Sequence, residues 1–201
     1  MLDLYFAPTP HAQRALLVLE ETHTAYQLHN INLLKNEQTS PELLALNLLG
    51  AVPVLVDSSG FNGRRLVLTQ SVAIMLYVAE QSGALIPANA ERRIGMFKWL
   101  MLAASDIGGT NTAINQLARS APEKSSANVA FFERRLLRYF GACDAHLAEH
   151  DYFADELSIA DLCVYPFVVA RRSLIGDDLP HLGRWAQQIG SRVAVARAMA
   201  V

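Results

Sequence analysis

The sequence predicts two domains, a mixed α/β domain of order βαβαββα followed by an all-helical domain. Turn signals concentrate in the first 80 residues, whereas the stretch after about residue 88 consists of long apolar-periodic segments with few breakers. The chain has 201 residues, 52% of them hydrophobic, which is ample for a real core. We therefore expect domains at 1–82 and 89–201, joined by a linker at 83–88.

The chain opens with a predicted strand and helix. Apolar Leu2, Leu4 and Phe6 alternate with other residues, which is the pattern of a half-buried strand. Thr9-Pro10 predicts a helix start, because a threonine side chain can accept hydrogen bonds from first-turn N–H groups and proline is preorganised for the first helical position. The first helix is expected over residues 11–22.

The rest of the first domain follows from similar signals. Ser40-Pro41 repeats the cap-then-proline pattern, and Gly83 is a typical helix stop. A strand that follows the first helix is expected to pair in parallel with the first strand, through a right-handed crossover. The expected elements are a strand at 25–33, a helix at 41–47, a β-hairpin of 52–56 and 66–68, and a helix that starts at 69–71 and ends near 82.

The sharpest local signal of the second domain is a capping box at Ser158 and Asp161. The segment that follows is apolar on all sides, which predicts a helix at the centre of the helical domain. Pro166 is expected to kink that helix or to force a compensation. We interpret Ser158 and Asp161 as structural residues that start and cap a buried helix.

Charge and hydropathy argue against two classes of partner. The 17 Lys and Arg residues against 19 Asp and Glu residues give a net charge of −2, and no basic cluster is longer than a pair. Nucleic acid is therefore not an expected ligand. No apolar run approaches the roughly 18 residues that a membrane helix needs. Since Met1-Leu2-Asp3 lacks the basic start of a signal peptide, we expect no membrane partner and a cytoplasmic location.

The cysteines and histidines give no metal signature. Cys143 and Cys163 are far apart and belong to no C-x-x-C pair, so buried reduced thiols are expected. The histidines share no spacing that would suggest a ligand set. We therefore expect no metal. Trp99 and Trp185, on helical periodicity, are expected to be packing anchors.

Four blocks of the sequence resemble, in order and spacing, motifs of the cytosolic glutathione transferases. They are Leu4-Tyr5-Phe6-Ala7-Pro8-Thr9-Pro10, Asn47-Leu48-Leu49-Gly50-Ala51-Val52-Pro53-Val54-Leu55, Gln70-Ser71-Val72-Ala73-Ile74 and Ser158-Ile159-Ala160-Asp161. Four ordered blocks are far more specific than any one short motif. The resemblance implies a thioredoxin-like first domain that binds glutathione as co-substrate, an all-helical second domain, and a homodimer with two active sites.

The same resemblance implies the glutathione contacts. The Val52-Pro53 bond is expected to be cis and to present the Val52 N–H and C=O to the cysteinyl backbone of glutathione. Gln70 and Ser71 match the pair that holds the γ-glutamyl end, where a helix start attracts a carboxylate. Gln70 is an amide where many relatives carry Glu, which removes a charge pairing with the ligand ammonium. Gln38 falls where relatives bind the glycyl carboxylate.

Several residues compete for the stabilisation of the glutathione thiolate. The chemistry requires a lowered thiol pKa, and the first turn of the first helix offers hydrogen-bond donors and positive potential. The Thr-Pro run looks most like a bacterial, Nu-like subgroup that uses Thr, followed two residues later by Asn, and that reduces disulfides. Here His11 stands at that later position and could act as a donor or a proton acceptor. We rank Thr9 first, His11 second and Tyr5 third.

Asp106 resembles a position from which some relatives send a carboxylate across the dimer to the partner's glutathione, although a solvated helix acid is an equal interpretation. The expected function is attack of a glutathione thiolate on a small-molecule electrophile or on a disulfide. The alternative is a non-catalytic, transferase-like binding protein. The intact Val52-Pro53 and Gln70-Ser71 pairs favour a working glutathione site.

Overall fold

The computed structural model describes every residue from Met1 to Val201 and divides the chain into two compact units. The N-terminal unit comprises Met1–Ala84 together with Val193–Val201, and the helical unit comprises Leu85–Arg192. The division lies inside the predicted linker. The end of the chain differs from the predicted domain at 89–201, since residues 193–201 group with the N-terminal unit.

The N-terminal unit has the predicted element order βαβαββα. Observed ends differ from the predicted ones by at most three residues. The elements are β1 Leu2–Phe6, α1 Pro10–Glu21, β2 Tyr26–Asn30, α2 Pro41–Leu46, β3 Val54–Asp57, β4 Leu66–Thr69 and α3 Ser71–Ser82. Gly83 ends α3 with φ 67°, the left-handed cap that its sequence predicts.

The four strands form one mixed sheet of order β2-β1-β3-β4. β1 pairs in parallel with β2 and antiparallel with β3, and β3 pairs antiparallel with β4. The register aligns Tyr5 of β1 with Val54 of β3, and Val54 with Thr69 of β4. The end of β1, the start of β3 and the end of β4 therefore meet at one edge of the sheet.

The two faces of β1 have different environments. Leu4 and Phe6 are fully buried on one face. On the other face, the ring of Tyr5 stacks on that of His29, with centroids 4.7 Å apart, and His29 Nε2 lies 2.8 Å from Asp3 Oδ1. The alternation in the sequence predicted this division, and Tyr5 is held in the sheet by its stacking partner.

The helical unit contains six α-helices and two π-helical segments. They are α4 Ala90–Met101, a π-helical segment Leu102–Ile107, α5 Gly108–Asn115, a second π-helical segment Gln116–Ser120, α6 Ser126–Leu147, α7 Ile159–Ala170, α8 Arg172–Ile175 and α9 Pro180–Gly190. Among the helices of the chain, none combines the length and the apolar character that crossing a membrane requires.

α7 is the buried centre of the helical unit, as predicted. Its capping box forms as expected: the Ser158 hydroxyl accepts the N–H of Ala160 at 3.3 Å, and the Asp161 carboxylate accepts the N–H of Ser158 at 3.0 Å. The carboxylate also accepts the indole N–H of Trp185 at 3.0 Å. The helix continues through Pro166, which is buried among apolar side chains.

The last helix, α10 (Val193–Met199), packs on α1 within the N-terminal unit. Arg197 Nε donates to Glu20 Oε2 at 2.8 Å, and the hydroxyl of Tyr26 donates to Glu20 Oε1 at 2.5 Å. Nothing in the local sequence distinguishes α10 from the other helices of the second half, because its assignment depends on a partner about 180 residues earlier in the chain.

Candidate functional site

Thr9 caps the start of α1 at the sheet edge where β1 ends. Its side-chain oxygen accepts the N–H of Ala12 at 3.2 Å, as the sequence predicts for a cap. The N–H of Ala12 is therefore committed to the cap rather than left for a ligand. Because the Thr9 oxygen is the acceptor in this bond, the hydroxyl proton of Thr9 stays available for another acceptor.

His11 lies in the same first turn. Burial, with a further contribution from the positive charge of Arg14, lowers the pKa of His11 to about 4. The imidazole is consequently neutral at pH 7. A neutral ring can accept or donate a hydrogen bond, but it holds a proton poorly.

Gln70 and Ser71 begin α3 where β4 ends. Gln70 is the N-cap residue with φ 69° and ψ 111°, yet its side chain makes no capping bond. A residue other than glycine in such a conformation costs on the order of 1–3 kcal/mol, and strain of this kind clusters at functional sites. Ser71 is buried and its hydroxyl has no partner within the chain. The start of α3 is thus left open to an anion.

The Val52-Pro53 peptide bond is cis, as predicted, and leads directly into β3. The backbone N–H and C=O of Val52 have no hydrogen-bond partner in the chain. An extended ligand backbone could therefore pair with them as a strand would.

The turn before Val52 depends on two residues that the sequence interpretation did not assign to the site. The buried side chain of Asn47 donates to the carbonyl of Ala51 at 2.7 Å and accepts the N–H of Leu49 at 3.1 Å. Gly50 has φ +57°, and a Cβ there would lie 3.3 Å from Thr39 Cγ2. The signal was the Asn-x-x-Gly spacing, which is typical of a turn.

Gln38 lies beside this turn. A Cβ at Gly50 would lie 3.5 Å from the Gln38 carbonyl, so the two segments are neighbours. The side-chain oxygen of Gln38 is buried and has no hydrogen-bond partner. Buried polar atoms in folded proteins almost always have a partner, so an unpartnered amide here indicates a place where a ligand completes the bonding.

Asp106 belongs to the helical unit, in the π-helical segment that follows α4. The Ser105 hydroxyl lies 2.9 Å from Asp106 Oδ2 and 2.8 Å from the carbonyl of Met101. The carboxylate lines a cavity of about 250 Å³ together with Arg135 and Phe132. π-Helical turns often occur at functional sites, and this one turns Asp106 towards the cavity.

The seven predicted residues of the N-terminal unit lie in four segments, three of which adjoin strand ends that meet at one edge of the sheet. The strand register brings together the start of α1, the turn before β3 and the start of α3. The ring of Tyr5, the third candidate for the thiolate, stacks on the ring of His29. Nowhere in the chain do three or more His, Cys, Asp or Glu side chains form a group that could hold a metal ion.

The sequence matches the models of a known family along most of the chain. Residues 1–80 match the family model of the glutathione S-transferase N-terminal domain, and residues 99–192 match that of the glutathione S-transferase C-terminal domain.

The chain belongs to the glutathione S-transferase family.

Two relatives from Escherichia coli are similar to nearly the whole of this chain. The disulfide-bond oxidoreductase YfcG of Escherichia coli is 30% identical, over 99% of this chain and 94% of the relative. The disulfide-bond oxidoreductase YghU of Escherichia coli is 29% identical, over 98% of this chain and 73% of the relative. The resemblance to the bacterial, Nu-like subgroup, which the Thr-Pro run suggested, is confirmed.

A solved structure supports the same assignment. A glutathione transferase from Pseudomonas putida, which has one glutathione disulfide bound per subunit, superposes with a TM-score of 0.92 at 29% identity. The match covers 100% of this chain and 91% of the other. The predicted thioredoxin-like domain followed by an all-helical domain is therefore confirmed as the fold of this glutathione S-transferase family member.

Proposed function

We propose that this chain is a glutathione transferase that ionises glutathione beside the first turn of α1. The observation that carries the proposal is the cap of α1. The Thr9 hydroxyl accepts the Ala12 N–H at 3.2 Å and can donate its own proton to a thiolate. A helix start lowers the pKa of a nearby thiol from its ordinary value of about 8.5, and a donated hydrogen bond lowers it further.

The groups left unpartnered on the N-terminal unit match the groups of glutathione. The open start of α3, with Gln70 and Ser71, would hold the γ-glutamyl carboxylate. The backbone of Val52, ahead of Pro53, would pair with the cysteinyl backbone. The amide nitrogen of Gln38 would donate to the glycyl carboxylate, and its buried, unpartnered Oε1 would be left to accept from an N–H of the ligand.

His11 is assigned a hydrogen-bonding role. Its pKa of about 4 leaves the ring neutral, so it orients the glutathione sulfur or the co-substrate rather than taking up the thiol proton. Asp106 is assigned to the glutathione of the partner subunit in a homodimer, to whose ammonium it would restore the negative charge that Gln70 lacks.

The thiolate has two fates. On an electrophilic carbon, it forms a carbon–sulfur bond while the leaving group departs with the electron pair. On a disulfide, it forms a mixed disulfide and releases one thiolate; a second glutathione then releases the other and yields glutathione disulfide. The names of the two Escherichia coli relatives and the ligand of the Pseudomonas putida structure favour the disulfide reaction.

Location and assembly complete the proposal. Neither Cys143 nor Cys163 forms a disulfide, which suits the cytoplasm. We assign a homodimer, supported by exposed apolar side chains at the turn before Val52, where Leu48 is 90% and Leu49 72% exposed. The alternative of a non-catalytic binding protein keeps the fold and the apolar surfaces, but the family match favours the enzyme.

One pair of assays tests the function. Glutathione-dependent reduction of a small disulfide and conjugation of an aryl halide are measured with the wild type, Thr9→Ala and Thr9→Ser. We expect Thr9→Ala to lose at least tenfold in turnover in the favoured reaction and Thr9→Ser to keep most of it, because only serine retains the hydroxyl. Calorimetric titration with glutathione comes first: absence of binding at millimolar concentration would shift the assignment to the binding protein.

A further inference from the structure

The helical unit carries a polar cavity that contains none of the residues assigned to glutathione. It has a volume of about 450 Å³, within the range of small-molecule sites. One wall is the face of α4 that bears Arg92, Gly95 and Lys98. The other wall is formed by the end of α6 and the loop after it, with His146 and His150.

The two histidines form a stacked pair. Their ring centroids are 4.2 Å apart and their planes differ by 19°. His150 Nδ1 lies 2.7 Å from Asp155 Oδ1, so its other nitrogen remains for a different partner. Nε2 of His146 is buried and has no hydrogen-bond partner. A buried polar atom without a partner is rare in native structures, and a place for a bound ion is one explanation of it.

The unmet bonding capacity of the cavity consists mainly of donors. The ammonium of Lys98 lies 4.6 Å from the centroid of the Trp99 ring and makes no ion pair. Arg92 reaches the carboxylates of Asp155 and Glu156 only at 3.9 and 3.7 Å, beyond hydrogen-bond distance. Asp155, in contrast, already has His150 as its partner.

The remaining charged group of the lining is Glu91, in the first turn of α4, where the helix dipole favours it. With neutral histidines, the charges of Arg92 and Lys98 fall one short of those of Glu91, Asp155 and Glu156, the last of which faces Arg92 from outside the lining. One proton on the histidine pair makes this group neutral, and a proton on each histidine makes it positive. Burial, followed by the charges of His150 and Lys98, lowers the pKa of His146, and a nearby anion would oppose that shift.

Gly95 lines the cavity without a side chain. It stands in the middle of α4, where glycine costs about 1 kcal/mol relative to alanine. A Cβ at Gly95 would meet nothing within 4 Å. The absence of a side chain is therefore not required by packing, and a large residue at this position would occupy the cavity.

We propose that this cavity binds a compact oxyanion, the carboxylate or phosphate of a small molecule, between Arg92, Lys98 and the His146–His150 pair. Arg92 and Lys98 would supply charge-assisted hydrogen bonds. The anion would favour a proton on the histidine pair, so that the anion and a proton are taken up together. Trp99 and Phe153, which are almost fully buried, form the floor rather than a stacking surface.

The test uses sulfate as the probe, since it remains a dianion over the relevant pH range. Calorimetric titration of the full chain with sodium sulfate at pH 5.5 and pH 8.0 is expected to give at least tenfold tighter binding at pH 5.5. Gly95→Phe and Lys98→Met are each expected to weaken sulfate binding at least tenfold. Gly183→Phe is the matched control, because Gly183 is also a helix glycine with open space around its Cβ and lies outside the cavity.

Three results decide the proposal. Absence of sulfate binding to the wild type at 20 mM would overturn it, as would unchanged affinity in Lys98→Met, which keeps the length of the side chain. Unchanged affinity in a folded Gly95→Phe would also overturn it. Competition with propionate identifies the source: displacement of sulfate at lower concentration indicates a carboxylic acid, and failure to displace it indicates a phosphate ester.

Discussion

The start of α7 and the start of α1 are built from the same elements and serve different ends. Each has a hydroxyl N-cap that accepts a first-turn N–H, from Ser158 in α7 and from Thr9 in α1. At α7 the capping box closes on itself, because Asp161 accepts the N–H and the hydroxyl of Ser158, the Ile159 N–H donates to the Leu85 carbonyl, and the capping box is buried. At α1 no acidic side chain stands in the first turn.

The comparison teaches which helix starts can be ligand sites. A helix start offers free donors and positive potential only while no side chain of the chain consumes them. At α7 these donors are used within the chain, where they stabilise the fold. The start of α3 keeps its donors, and the strain at Gln70 is a cost of doing so. The start of α1 uses the Ala12 N–H in its cap and keeps the hydroxyl proton of Thr9.

Asp161→Ala, which opens the capping box of α7, should have the largest effect on stability. Its carboxylate accepts from the N–H groups of Phe153 and Ser158, the Ser158 hydroxyl and the Trp185 indole, at 3.0–3.2 Å. Removal leaves these buried donors unpaired, so we expect a loss of about 3–5 kcal/mol in the free energy of unfolding. Urea unfolding measures it. Ser158→Ala, which leaves the carboxylate in place, should cost about 1–2 kcal/mol.

The folded fraction of both variants should bind glutathione with wild-type affinity, because neither residue is assigned to the ligand. A drop in affinity at unchanged stability would show that the start of α7 acts in binding after all.

His11→Asn, at the start of α1, should change how the free energy of unfolding depends on pH. The pKa of His11 is about 4 in the folded chain against 6.5 unfolded, so its contribution is fully present above pH 6.5 and is lost as pH falls towards 4. Between pH 7 and pH 4.5 the wild type should lose about 2–3 kcal/mol of unfolding free energy that His11→Asn does not lose. Parallel stability curves for the two proteins would contradict the burial of a neutral ring.

Asp161 has the opposite pH dependence. Burial outweighs its four hydrogen bonds and raises its pKa to about 6, above the 3.8 of an ordinary aspartate. Its protonated form is thus favoured in the folded chain, so this contribution is fully present below pH 3.8 and is lost as pH rises through 6. In His11→Asn, where the opposing contribution is absent, stability should therefore fall less on acidification than in the wild type.

Gly50→Ala should have the smallest effect on stability, with a specific effect on the ligand. Its φ of +57° and the 3.3 Å approach to Thr39 predict a loss of about 1–2 kcal/mol. Because the turn precedes Val52, glutathione affinity should fall several-fold by calorimetry. Gly83→Ala is the control: φ is +67° with open space around it, so a similar stability loss should leave affinity unchanged.

Most of the fold could be predicted because its signals are local. Alternation in β1, the proline after Thr9 and Ser40, and the capping box at Ser158 each determine an element without help from distant residues. The placement of α10 could not be predicted, since it depends on the pairing of Arg197 with Glu20. The passage of α7 through Pro166 likewise depends on the packing around it.

The sequence nominates residues for the candidate site but does not specify their states. Four sequence blocks pointed to Thr9, Val52 and Gln70, whereas the neutral state of His11 depends on burial and on Arg14. The role of Asn47 in shaping the turn depends on a side-chain bond to Ala51 that no pattern specifies. The stacking of Tyr5 on His29 likewise depends on a contact between two strands that the alternation of β1 does not specify.

The pKa of the glutathione thiol on the enzyme tests the central claim most directly. It is measured from the ultraviolet absorbance of the thiolate as a function of pH, with glutathione bound to the wild type and to Thr9→Val, which keeps the shape of the side chain without its hydroxyl. We expect a pKa at least one unit below the ordinary thiol value of about 8.5 in the wild type, and a rise towards that value in Thr9→Val. Equal pKa values in the two proteins would contradict the assignment of Thr9.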